Sequence, residues 1–106
     1  PKPGRAPTER ERSSPPASPA ADAQRAETLT KQGMRALVQG KLRDAVSDLR
    51  GATRLAPNSP RAWRSLGLAY ERLRRRAQAA HAYRRYLQLA PSAPDAATVR
   101  SRLRAL

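Results

Sequence analysis

Apolar residues recur three and four positions apart along the chain. Ala45, Leu49, Ala52 and Leu55 form one stripe, Leu66, Tyr70 and Leu73 a second, and Val99, Leu103 and Leu106 a third. That spacing is one face of an α-helix. Prolines bound the helical stretches: none lies between residues 20 and 56 or between 61 and 90, whereas Pro57/Pro60 and Pro91/Pro94 form two pairs. An interior proline removes a helical hydrogen bond and collides with the preceding turn, so the pairs mark helix ends and restarts. Each proline-free stretch is about thirty residues, longer than an ordinary globular helix, and should break near its middle. Gly40, in "VQGKLRDA", supplies the first break. The second stretch has only "RLRRRAQ" at the equivalent place, without a turn residue of its own. At the restarts, Ser59 before Pro60 and Ser18 before Pro19 are suited to cap helices. Asp95 after Pro94 places negative charge at the positive end of a helix dipole.

Sliding the chain on itself by 34 residues explains the paired prolines. Gly33 falls on Gly67, Ala45 on Ala79, Leu49 on Tyr83, Leu55 on Leu89, Ala56 on Ala90 and Pro57 on Pro91. The second unit reads Trp63, Leu66, Gly67 and Tyr70, then Ala79, Tyr83 and Pro91; the first keeps Leu29, Gln32, Gly33 and Ala36, then Ala45, Leu49, Ala52 and Pro57. A helix pair with this period and these residues resembles the tetratricopeptide repeat. The resemblance implies an all-α fold: two antiparallel helix pairs, residues 26–59 and 60–93, and a capping helix over 94–106, stacked because one hairpin cannot hide both of its apolar faces. Tyr86 stands where the family usually has a small residue, which predicts looser packing at that end. Arg100, Ser101 and Arg104 would occupy the packing positions of a third unit, so the stack is expected to end there.

Composition adds a leader and a charge. Residues 1–19 hold six of the ten prolines and no Leu, Ile, Val or aromatic residue, and this segment is expected to be a disordered linker ahead of a domain over 20–106. The formal charge is +14, with seventeen basic and five acidic side chains within 26–106. Abundant Arg, Ala and Pro are also what a GC-rich genome produces, and the reading favours a module of a larger, bacterial, multidomain protein. Cysteine is absent, which excludes thiolate metal sites and disulfides. No apolar run reaches the ~20 residues of a membrane-spanning helix, and a cytoplasmic or membrane-tethered soluble region is expected.

Candidate chemistry is sparse. His81 is the single histidine, without a metal-ligand companion, and Asp44 with Asp48 reads as a solvated helix face. No glycine-rich phosphate loop is present. The expectation is therefore a non-catalytic scaffold, monomeric and without cofactor or metal.

In the family that the chain resembles, a concave groove is lined by the first helix of each pair. Carried over, this implies Glu27, Thr30, Met34 and Leu37 from the first unit, Arg61, Arg64, Leu68 and Glu71 from the second, and Thr98 and Arg102 from the closing helix. Such a groove would be basic and partly apolar, suited to a partner peptide or domain with hydrophobic and acidic groups. The Lys and Asn with which some members clamp a terminal carboxylate are missing, since Thr30, Met34, Arg64 and Leu68 stand at those positions. A basic patch of Arg72, Arg74, Arg75, Arg76, Arg84 and Arg85 supports an alternative, electrostatic docking to an anionic surface. Of such surfaces nucleic acid is disfavoured, because Trp63, Tyr70 and Tyr83 are assigned to packing and not to base stacking.

Overall fold

The computed structural model describes residues 18–106 and folds them into five helices: α1 (Pro19–Val38), α2 (Leu42–Leu55), α3 (Pro60–Arg72), α4 (Arg76–Leu89) and α5 (Ala96–Ala105). The leader expected over 1–19 lies outside the described residues as far as position 17. Pro19, by contrast, is the first residue of α1, and the Ser18 hydroxyl caps that helix by accepting from the Ala21 amide at 3.1 Å. Helices α1 and α2 form one hairpin, α3 and α4 a second, and α5 packs on α4. The fold is all-α, as the pattern of apolar positions implies.

The two hairpin turns share one hydrogen-bond pattern. At the first, Gly40 N–H donates to Leu37 O and Lys41 N–H to Ala36 O; at the second, Arg74 donates to Glu71 O and Arg75 to Tyr70 O. This is the Schellman arrangement, which satisfies the last carbonyls of a helix by placing one residue in the left-handed region. Gly40 takes that position with φ 75°, and Arg74 takes it 34 residues later with φ 59°. A side chain in this region is strained. The second turn is thus dictated by the repeat, against local preference.

Small residues set how closely the helices of each pair approach. A Cβ added to Gly33 would lie 2.5 Å from Leu49 Cγ, and one added to Gly67 would lie 2.5 Å from two ring carbons of Tyr83. Leu49 and Tyr83 are also the largest fully buried side chains. Each fills the hole that its partner glycine leaves, and the two pairs are copies of one contact. Ala45, Ala52, Ala62, Ala69 and Ala79 line the remaining close approaches with no exposed surface.

Tyr86 corrects an expectation. It is only 5% exposed and packs with Tyr83 and Val99, while Leu103 and Leu106 close over the same cluster. Its hydroxyl donates to Asp95 Oδ1. The larger side chain is accommodated because α5 is short and its first turn supplies the carboxylate. Arg100, Ser101 and Arg104 are exposed on the far side of α5.

The stack is curved. Helices α1 and α3 touch, whereas α2 and α4 nowhere approach within 8 Å, Cα to Cα. The first helices of the pairs therefore form the inner side, and an open cleft separates the second helices on the outer side.

Candidate functional site

The inner face carries most of the expected groove residues, but with a charge arrangement that the sequence reading did not contain. Arg61 on α3 pairs with Glu27 on α1 at 3.3 Å, and Arg102 on α5 pairs with Glu71 on α3 at 3.1 Å. Arg64 on α3 pairs with Asp95, the residue that precedes α5. Each groove arginine thus faces a carboxylate of a neighbouring element. The expected unpaired basic strip is, in the folded chain, a row of three alternating ion pairs.

Two of those pairs extend inward. Tyr83, on α4, donates its hydroxyl to Glu71 Oε1 at 2.7 Å, and the same carboxylate accepts from Arg102. Tyr86 and Arg64 share Asp95 in the same way. Both triads run tyrosine, carboxylate, arginine, and both fasten α5 to the second hairpin. Burial, and then the bond to Glu71, push the Tyr83 phenol above its usual range. Burial likewise raises that of Tyr86, helped by Asp95. The bond from Tyr86 holds the Asp95 carboxyl below its usual value, against a smaller opposing effect of desolvation, with Arg64 adding to the depression. Asp95 was expected to cap α5 with its side chain, but it makes no such bond because these two donors occupy it. Ser59 likewise precedes α3 without a side-chain capping bond.

Of the remaining groove candidates, Thr30 and Leu37 do not reach the surface. Thr30 is 2% exposed, its hydroxyl donating to Ala26 O at 2.7 Å, and Leu37 is 5% exposed in the main core cluster. Both lie on the side of α1 that packs against α2, so helical geometry turns them away from the groove. Met34 and Leu68 are half-buried and Thr98 is exposed. Leu68, Thr98, Arg64 and Arg102 come together around a small hollow of about 40 Å³ whose inner wall is Tyr83 and Val99.

The arginines of the basic patch divide between two places. Arg72, Arg74, Arg75 and Arg76 surround the second hairpin turn and are exposed, and Arg72 also donates to Leu37 O at 3.2 Å. Arg84 and Arg85 lie two turns along α4, Arg85 donating to Gln88. Among the described residues none of these six is in an ion pair.

A second concavity, on the outer side, was not anticipated. The cleft between α2 and α4 encloses about 340 Å³ over a floor of Trp63, Leu66 and Tyr70 from α3. Arg50 and Arg54 stand on the α2 wall and His81 on the α4 wall. The Trp63 indole N–H donates to Pro57 O at 2.7 Å, and its ring meets the His81 ring edge to face at 5.7 Å.

These features define a short stack of helical hairpins that offers two concave faces. The family model described as tetratricopeptide repeat matches residues 32–104, and the chain belongs to that family. No curated protein matches it. Repeats of this kind generally mediate protein–protein interaction and scaffolding, bind protein or peptide partners, and are typically non-catalytic. Among the described residues, no helix is long and apolar enough to cross a membrane.

Proposed function

We propose that the protein is a non-catalytic recognition module that seats a partner peptide or domain on the inner face of α1, α3 and α5. One observation carries this reading: Leu68, Arg64, Thr98 and Arg102, contributed by two different helices, converge on one hollow. Met34 offers a second half-buried apolar position on α1. The flanking ion pairs are about half exposed. Pairs of that kind contribute roughly 0–1 kcal/mol each. A partner carboxylate can therefore replace Glu71 or Asp95 at little cost, while the pairs hold the arginines in position beforehand. The partner that fits carries apolar anchors spaced for Met34 and Leu68, with acidic groups beside them.

The alternative, docking to an anionic surface, is favoured by a different observation, the four exposed arginines without carboxylate partners around the second turn. The test is to select peptides from a random display library on the wild-type protein and measure their affinity for two variants. Leu68→Asp is expected to abolish binding, and Arg72/Arg74/Arg75/Arg76→Gln to weaken it by less than about threefold. The reverse ranking, together with a steep loss of affinity between about 50 and 200 mM salt, rejects the inner face in favour of the arginine cluster.

A further inference from the structure

The outer cleft is a second candidate site, and its chemistry differs from that of the inner face. Its floor is aromatic and aliphatic, and the helices α2 and α4 that flank it do not touch. The volume of about 340 Å³ lies at the lower end of the range for small-ligand pockets, enough for one large side chain and its neighbours. The rim is cationic without compensation. Arg50 and Arg54 are exposed and form no ion pair among the described residues.

The six described carboxylates all lie elsewhere. Glu27, Glu71 and Asp95 belong to the inner-face pairs, Asp44 and Asp48 border a separate depression between α1 and α2, and Asp22 lies near the start of α1. An occupant must therefore bring its own negative charge to this rim, and an apolar group to the floor.

From this complementarity we infer that the cleft binds an acidic peptide segment through one aromatic side chain, which inserts against Trp63 and Leu66 while flanking carboxylates meet Arg50 and Arg54. Insertion between Trp63 and the α2 wall places the incoming ring beside an aromatic cluster that Trp63, Tyr70 and His81 already form. Such edge-to-face and offset contacts add to the area buried. This site is independent of the proposed inner-face function and lies on the opposite side of the stack.

Trp63 is the only tryptophan, so the cleft carries its own reporter. The experiment titrates the protein with the peptide Gly-Asp-Asp-Phe-Asp-Asp-Gly and follows tryptophan emission. One control peptide has alanine in place of phenylalanine, a second has asparagine in place of aspartate, and vesicles of phosphatidylserine form a separate arm. The expected result is a saturable change with the first peptide, roughly tenfold weaker for Arg50→Gln/Arg54→Gln and for either control peptide. Ala77→Phe, which fills the mouth of the cleft from an exposed helix position, should remove the response. Leu68→Asp should leave it unchanged, so that failure here and failure of the inner-face reading remain separate outcomes. Circular dichroism of each variant establishes that it is folded. The inference is overturned if no saturable change appears, if the change survives Ala77→Phe, or if phosphatidylserine vesicles reproduce it with equal sensitivity to the two arginines.

Discussion

Replacing Gly67 by alanine tests the packing on which both faces depend. The added methyl would sit 2.5 Å from Tyr83 Cδ1 and Cε1, more than 1 Å inside the usual ~3.5–4.0 Å carbon contact. Tyr83 cannot swing aside, because it is 1% exposed and its hydroxyl is held by Glu71 at 2.7 Å. The helices must separate instead. Overpacking of this severity belongs near the upper end of the ~1–3 kcal/mol range, and alanine recovers about 1 kcal/mol of helix propensity over glycine. The net expectation is a loss of about 2 kcal/mol, or roughly 8–16 °C in Tm for a domain of this size.

Urea denaturation at low temperature, where weaker variants stay folded, measures this loss in the wild type and in a Tyr83→Ala background. There the ring is gone and the methyl has room, so Gly67→Ala should stabilise by about 1 kcal/mol. The coupling between the two sites is then about 3 kcal/mol. An equal cost in both backgrounds, or a neutral Gly67→Ala in the wild type, would falsify the account of the hairpin contact.

Other consequences follow from single residues. Arg74→Gly, which relieves the left-handed backbone of the second turn, should stabilise the fold by about 1 kcal/mol in the same denaturation assay, whereas Gly40→Ala should cost a similar amount. Ser18→Ala removes the α1 cap and should cost about 1 kcal/mol, read most directly as faster amide exchange in the first turn of that helix. The Tyr83 phenol is raised in the folded state, so its stabilisation is complete below the unfolded value near pH 10 and is lost as pH rises beyond it. Alkaline unfolding followed by tyrosinate absorbance should therefore shift to higher pH in Tyr83→Phe. Asp95 has the opposite sign: its folded value is depressed, so its contribution is present above the unfolded value near pH 4 and declines as pH falls below it. Asp95→Asn should accordingly flatten the acid limb of the stability profile.

The architecture is readable in the chain because its strongest signals are periodic. Gly33 with Leu49 and Gly67 with Tyr83 stand at matching places 34 residues apart, and the structure makes each pair a contact. Ser18 and Gly40 act locally, as their chemistry dictates. Arg74 shows where local reading stops, since nothing about an arginine announces a left-handed residue. Only its register with Gly40 does so.

The inner face was harder to read, for two physical reasons. Positions carried over from a repeat do not say how far a side chain is buried, so Thr30 and Leu37 passed for surface residues although they pack toward α2. Net charge does not say who pairs with whom, and the carboxylates that engage Arg61, Arg64 and Arg102 come from other helices, 31 or 34 residues away. The separation of Glu27 from Arg61 equals the repeat period, a signal that was available. The outer cleft joins three helices and leaves no mark in any single stretch, except that Arg50 and Arg54 share one face of α2 with Thr53 close by.

The central claim is that recognition resides on the inner helices, and a backbone chemical-shift map with a display-selected peptide tests it most directly. The account predicts that the largest changes fall on Met34, Leu68, Thr98 and Arg102 while the amides of Arg74 to Arg76 stay in place. Shifts centred on the second hairpin turn, with the inner helices silent, would contradict it.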